Sequence, residues 1–214
     1  MLSSFVPDLP VLAAFLVASV ILGVTPGPDM TYFLSRTVAQ SRAAGFAALG
    51  GVSVGLVVHS VLVAAGLSVL LAASATAFTI LKIVGALYLA WLAVDAIRHG
   101  SALALETGGR REPLRAVFLK GMGINLLNPK VIMFFVTFLP QFVAAADPHA
   151  SGKLLFLGLM FMAVNVPVCG ALILAADRIA LLLKRSSLAT RLVDWAFAGV
   201  LGAFAVRLAF TQAK

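Results

Sequence analysis

Two charged residues follow prolines inside apolar parts of this sequence. Asp29 comes directly after Thr25-Pro26-Gly27-Pro28, and Lys130 comes directly after Asn128-Pro129. A charge at bilayer depth is unfavourable, and such residues usually mark a substrate or proton path. We therefore predict a transport role for Asp29, with a solvated position near the membrane surface as the alternative. For Lys130 three interpretations are open: pairing with Asp29, attraction of a substrate carboxylate, or snorkelling to the surface.

Uncharged polar side chains accompany these two residues. Asn125, Asn128 and Asn165 could satisfy backbone groups that a broken helix leaves free, or contact a substrate directly. His59 stands in a long apolar segment as either a packed, hydrogen-bonded histidine or a proton relay. The predicted transport site consists of Thr25, Pro26, Gly27, Pro28, Asp29, Asn125, Asn128, Pro129, Lys130 and Asn165, with Asp29 and His59 as candidate proton relays.

The prolines predict how the chain would position these residues. Pro26 and Pro28 each remove a backbone donor and disfavour a helical conformation at the preceding residue. The flanking segments are apolar, so the resulting break lies at membrane depth. Irregular backbone is tolerated there only where it is buried in protein or lines a cavity, and interrupted helices are typical of transporter binding sites. A proline kink that only shapes packing is the alternative.

Composition predicts an all-α integral membrane protein with one domain, residues 1–214. Hydrophobic residues make up 62% of the chain and charged residues 11%, against about 25% charged in soluble domains. A single cysteine gives no disulfide framework, and scarce intramembrane ligands argue against a metal site. Segments of about 20 apolar residues predict six spans. They cover residues 9–34, 43–71, 77–97, 117–143, 153–176 and 192–210.

The basic residues indicate orientation. The net charge of +8 is distributed in clusters between apolar runs, which indicates membrane topology and lipid headgroups rather than nucleic acid. Lys153 is the one basic residue in the loops after spans two and four. The loops after spans one, three and five carry Arg36, Arg42, Arg98, Arg110, Arg111, Arg115, Lys120, Arg178, Lys184, Arg185 and Arg191. The positive-inside rule places these loops in the cytoplasm and both termini outside.

Six spans also divide into two halves, residues 9–98 and 117–210. The first span of each half is the one that contains a proline break. Because each half has three spans, the second half enters the membrane from the opposite side. The sequence therefore predicts two inverted three-helix repeats with a site at their interface.

Several motifs resemble the LysE/RhtB family of bacterial amino-acid exporters. They include Gly23-x-Thr25-Pro26-Gly27-Pro28, Asn125-Leu-Leu-Asn128-Pro129-Lys130 and Phe138-Leu139-Pro140-Gln141-Phe142. The similarity extends from Val11 to about Phe210. It implies an inner-membrane carrier, not an enzyme and without a cofactor, that exports amino acids or close derivatives. It also implies alternating access driven by the proton gradient.

Parts of the sequence are also compatible with other functions. Export of another small solute or ion is the main alternative. Gly51-Val-Ser53-Val-Gly55 matches the GxSxG pattern of serine hydrolases, but it lies within a long apolar helix and not on a sharp turn. The same glycines form a GxxxG pattern, which serves both packing within a chain and a homodimer.

Overall fold

The computed structural model describes residues 6–67, 111–144 and 147–176, with isolated positions between 76 and 98 and between 178 and 206. All regular secondary structure in these ranges is helical, and they contain no strand. The prediction of an all-α protein is confirmed for this part of the chain.

The first predicted span is broken where the prolines predict. Helix α1 covers Leu9–Val24, helix α2 covers Pro28–Ala39, and the two axes differ by 51°. Pro28 occupies the first position of α2, where its missing N–H has no intrahelical role. We call the residues between these helices, Thr25-Pro26-Gly27, the first break.

Helix α3 covers Arg42–Leu62 and begins at Ser41, whose Oγ accepts a hydrogen bond from the Ala44 N–H at 3.2 Å. A π-helical turn over Val63–Leu67 extends it. The stretch Arg42–Gly66 is long and apolar enough to cross a membrane, which agrees with the second predicted span up to the limit of the described residues.

The fourth predicted span is also broken. Helix α4 covers Leu114–Leu126 and helix α5 covers Pro129–Met133, which continues through tighter and wider turns to Phe142. The bend between the two parts is 48°. We call Leu127-Asn128 the second break.

Helix α6 covers Ala150–Leu174 as one apolar helix with Pro167 inside it. The described residues thus contain two unbroken candidate spans, or four if each bent pair is one span. These correspond to predicted spans one, two, four and five. Spans three and six, residues 77–97 and 192–210, lie outside the described residues except for isolated helical positions, so the six-helix inverted repeat stays a prediction.

Small residues bring α3 and α4 into backbone contact. A Cβ on Gly51 would collide with the Phe118 carbonyl oxygen, and a Cβ on Gly121 would collide with that of Ala48. Glycine at both positions therefore permits an approach that any larger residue would prevent. This face of α3, which carries the GxxxG pattern, packs within the chain.

Polar contacts tie the elements together at the two ends of the molecule. At one end the Glu112 carboxylate pairs with Arg36 at 2.9 Å and Lys120 at 2.6 Å, which joins α2 to the segment before α4. The hydrogen bond from Lys120, together with the nearby Arg36 charge, holds the pKa of Glu112 below its usual range. At the other end Lys153 pairs with Asp147 at 2.6 Å. Glu112 therefore holds the C-terminal end of α2 close to the N-terminal part of α4.

Candidate functional site

A cavity of about 50 Å³ lies between the first break and the start of α5. Residues from α1, α2, α3, α5 and α6 contribute to its wall, so most of the described helices meet there. Its polar lining comes from Thr25, Asp29, Lys130, Asn165 and Cys169. The remainder is mainly apolar. The cavity has room for a few water molecules in this conformation.

Asp29 reaches this cavity from the second position of α2. Its Oδ2 accepts a hydrogen bond from Asn125 Nδ2 at 2.7 Å. Its Oδ1 is buried and has no partner among the described residues. The Asn128 side chain lies beside the same carboxyl, although its Nδ2 completes no hydrogen bond there. The Asp29 carboxyl is thus enclosed by protein, and one of its oxygens has no hydrogen-bond partner among the described residues.

Lys130 enters the first break from the other half of the molecule. Its Nζ donates to the Thr25 carbonyl at 2.8 Å and to the Leu22 carbonyl at 3.4 Å. Pro26 has no N–H to donate to the Leu22 carbonyl, which accepts from the Thr25 N–H at 3.2 Å as well as from Lys130. A Cβ on Gly27 would lie 3.1 Å from Nζ, so glycine leaves the space that the ammonium occupies.

Direct pairing of Lys130 with Asp29, one of the three interpretations of the sequence, is not observed. Arg36 and Lys120 pair with Glu112, and Lys153 pairs with Asp147, but Asp29 and Lys130, both of which the structure describes, form no ion pair with each other. Snorkelling is not observed either, because the Lys130 ammonium points into the break. The physical reason is that the carbonyls at the first break offer several acceptors at the negative end of α1.

The contacts of Asp29 and Lys130 are reciprocal. Each residue follows a proline that begins the second part of a broken span, Pro28 for Asp29 and Pro129 for Lys130. Asp29 reaches the end of α4 through Asn125, and Lys130 reaches the end of α1. The two broken spans therefore exchange contacts, and the residues that make them carry opposite charges.

The other two asparagines mainly support the backbone. Asn128 Oδ1 accepts from the Lys130 N–H at 3.0 Å and so caps α5. Asn165 Nδ2 donates to the Phe161 carbonyl at 2.8 Å and the Ser19 carbonyl at 3.4 Å. Its Oδ1 lies against Gly23, where a Cβ would collide with it. Asn165 also lines the cavity, so it combines support of the fold with access to the site.

His59 is a buried, hydrogen-bonded histidine just outside the cavity wall. Its Nε2 lies 3.3 Å from the Asn125 carbonyl oxygen, and its ring stacks on Phe135 with centroids 5.5 Å apart. Asn125 therefore contacts both His59 and Asp29. A relay through His59 would have to pass Asn125, whose amide donates to the carboxylate.

The remaining predicted residues shape the backbone around the cavity. Pro26 and Gly27 are buried in the first break, whereas Pro28 and Pro129 are exposed at the starts of their helices. The Thr25 hydroxyl donates to the Ile21 carbonyl at 2.5 Å, and the Thr25 carbonyl accepts from Lys130.

Sequence reasoning missed the apolar lining and one cysteine. Cys169 lies one helical turn after Asn165, and Phe33 lies one turn after Asp29, so both share a face with a predicted site residue. Phe161 precedes Asn165 by the same spacing. The signal that could have found them is this spacing of four residues around the polar positions.

The described residues do not support hydrolase or metal chemistry. The Ser53 hydroxyl donates to the Leu49 carbonyl at 2.8 Å in the middle of α3, so it is bound within its own helix. No group of three or more His, Cys, Asp or Glu side chains that could hold a metal ion occurs in the part of the chain that the structure describes.

Comparison with known proteins places the chain in a family. A family model described as LysE type translocator matches residues 20–212. The homoserine/homoserine lactone efflux protein of Salmonella typhimurium is 32% identical over 80% of this chain and 82% of its own length. The leucine efflux protein of Klebsiella pneumoniae is 28% identical over 92% and 94%, and an uncharacterized membrane protein of Vibrio cholerae is 30% identical over 86% and 90%. No solved structure matches significantly. The chain belongs to the LysE-type translocator family.

Proposed function

We propose that this protein exports amino acids or close derivatives from the cytoplasm across the bacterial inner membrane. The relatives carry names for efflux of homoserine, homoserine lactone and leucine, all of which are primary amines. The observation that carries the proposal is the cavity between the first break and the start of α5, because it is lined by an acid, a base and an apolar wall. An amino acid presents complementary groups to each of these.

In the proposed mechanism the two broken spans move relative to each other and open the cavity alternately to either side. Asp29 and Lys130 hold contacts across the two halves, so a rearrangement of the halves must break or remake them. We propose that Asp29 also carries the coupling proton. Its Oδ1 has no described partner and could accept that proton.

Reconstituted vesicles test the transport function. Vesicles preloaded with labelled leucine, homoserine or homoserine lactone should release at least one of them faster than protein-free vesicles, and faster when a proton gradient is imposed. A Lys153→Gln variant is the matched control. Lys153 lies in the first turn of α6, pairs with Asp147 and does not line the cavity. Release of none of the three compounds, nor of other amino acids, from a well-folded protein would contradict the proposal.

The proposed topology has six spans, inverted halves and both termini outside. A reporter active only outside the cytoplasm should be active when fused after Lys214 or at Ala75, and inactive at Gly109. An inactive fusion after Lys214 with an active one at Ala75 would indicate five spans. An active fusion at Gly109 would reverse the orientation.

A further inference from the structure

We infer that Asp29 and Lys130 form a split receptor for a zwitterion, in which Asp29 binds the substrate ammonium and Lys130 binds its free carboxylate. This inference rests on the proposed export function and adds a selectivity for substrates that carry both charges. It also places one of the two charged binding residues in each half of the carrier.

The geometry shows that both charges are held in place by neutral groups. The Asp29 carboxylate is fixed by the Asn125 amide at 2.7 Å, and the Lys130 ammonium by the Thr25 and Leu22 carbonyls at 2.8 and 3.4 Å. Asp29 and Lys130 do not neutralise each other through direct contact, since they form no ion pair in the described part of the chain. Side chains already fixed in position lose little further freedom when a ligand binds.

Each charged group also keeps hydrogen-bonding capacity for a ligand. An ammonium has three donors, and Lys130 uses two of them on the carbonyls. A carboxylate accepts at both oxygens, and Asp29 Oδ1 has no partner among the described residues. Both side chains line the same cavity. Two opposite charges therefore line one cavity, and each has hydrogen-bonding capacity that its described contacts do not use.

Charge balance then selects the ligand. A simple anion would neutralise Lys130 and leave Asp29 uncompensated, and a simple cation would do the reverse. An uncompensated charge that is buried in protein is strongly unfavourable. A zwitterionic amino acid satisfies both sites at once and joins the two halves through its own backbone. Its side chain would then contact the apolar wall that includes Phe33 and Phe161.

Binding to the purified carrier tests this without any need for transport. The rise in unfolding temperature gives the affinity for each ligand. The probes are two matched pairs: homoserine with homoserine lactone, and leucine with leucine methyl ester. Within each pair the second compound keeps the amine but lacks the carboxylate. A hydrogen bond to a charged group contributes about 1.5–3 kcal/mol, so we expect the acids to bind about 10- to 100-fold more tightly.

Variants assign this preference to a residue. Lys130→Gln should bring the ratio between acid and ester close to one, and Lys130→Arg should retain part of the preference. Asp29→Asn should weaken both members of a pair by a similar factor. The matched control Lys153→Gln should keep the wild-type ratio, since that ammonium already pairs with Asp147 at the molecule's end.

The outcomes separate this inference from the proposed function. Equal binding of acid and ester by a wild-type carrier that exports the acid would overturn the charge assignment alone. An unchanged acid preference in a folded Lys130→Gln variant would overturn it as well. If Lys130→Gln does not fold, the wild-type ratios and Lys130→Arg still decide the question. Absence of both binding and export of every amino acid would instead contradict the exporter function.

Discussion

The first and second breaks bend their spans by similar angles, 51° and 48°, but they satisfy their backbone groups differently. The second break is nearly self-sufficient. The Asn128 N–H donates to the Asn125 carbonyl at 3.0 Å, the Leu127 N–H donates to the Gly123 carbonyl at 3.1 Å, and the Asn128 side chain caps the following helix. Its order depends on contacts that are close in sequence.

The first break has a local hydrogen bond from the Thr25 N–H to the Leu22 carbonyl at 3.2 Å, but it also depends on a contact from α5. Gly27 precedes α2 without any side-chain cap, and the Thr25 carbonyl accepts its hydrogen bond from Lys130. These two residues are 105 positions apart. Substitutions at the first break should therefore affect transport more than stability, and substitutions at the second break should do the opposite. Four experiments, from the largest expected effect to the smallest, test this contrast.

The largest effect is expected from replacing Pro26 and Pro28 together by Ala. A proline in a helix interior is unfavourable by about 3 kcal/mol, so alanines allow the helical ladder to continue and to use the carbonyls of Leu22 and Thr25. Lys130 would lose its acceptors, and export should fall about tenfold or more, as expected for losing hydrogen bonds to a charged group. Efflux from vesicles measures the effect.

Pro167→Ala is the matched control for that variant, because Pro167 lies inside the unbroken helix α6, is exposed and does not line the cavity. It should leave export near the wild-type level. Normal export by a well-folded Pro26→Ala/Pro28→Ala variant would reduce the first break to a packing kink.

The next largest effect on transport is expected at Asp29, which accepts a hydrogen bond from Asn125 of α4. If Asp29 carries the coupling proton without binding the substrate, Asp29→Asn should lose gradient-driven export while substrate exchange persists, because the amide resembles the protonated acid. If Asp29 binds the substrate ammonium, as inferred above, exchange should fall along with export, since a charge-assisted hydrogen bond is about twice as strong as a neutral one. Preloaded vesicles that compare exchange with pH-driven efflux distinguish these cases.

Full activity of Asp29→Asn in both assays would remove Asp29 from the mechanism. His59 would then be the next residue to test, because it contacts Asn125 from α3.

A smaller effect, on stability, is expected at the second break. Asn128→Ala removes the cap from α5 and should lower the free energy of unfolding by about 1 kcal/mol. Asn128→Ser keeps an oxygen acceptor and should restore most of that loss. Thermal unfolding in detergent measures both. A loss of export by Asn128→Ala without any loss of stability would show that the second break acts in transport directly.

The smallest effect is expected outside both breaks, at Glu112. Its folded pKa lies below the usual value of 4.5, because Lys120 donates to it and Arg36 lies nearby. The carboxylate therefore contributes stability above about pH 4.5, and this contribution is lost as the pH falls through the lower folded value. Glu112→Gln should unfold at a slightly lower temperature than wild type at pH 7, and the difference should shrink at pH 4. An unchanged difference at the two pH values would show that the ion pairs at this end do not contribute.

Much of the local structure was predictable because proline acts locally. Pro26, Pro28 and Pro129 determine where the helices end and restart, since a missing donor and a restricted preceding residue constrain only nearby backbone. The predicted spans agree with the described helices within a few residues. The described helices begin at Leu9, Arg42, Leu114 and Ala150, and the corresponding predicted spans begin at residues 9, 43, 117 and 153. The motifs around both breaks also indicated the family.

The tertiary structure alone decided which groups meet across the breaks. The sequence left Lys130 with three interpretations, and none of them included the carbonyls of Thr25 and Leu22 that it contacts. The partnership of Asp29 with Asn125 spans 96 residues and depends on how α4 packs against α2 and α3. Such contacts follow from helix packing through small residues such as Gly51, which no local pattern positions in space. The sequence therefore determined where the chain breaks, and the packing decided that Lys130 contacts the first break and that Asp29 contacts Asn125 at the end of α4.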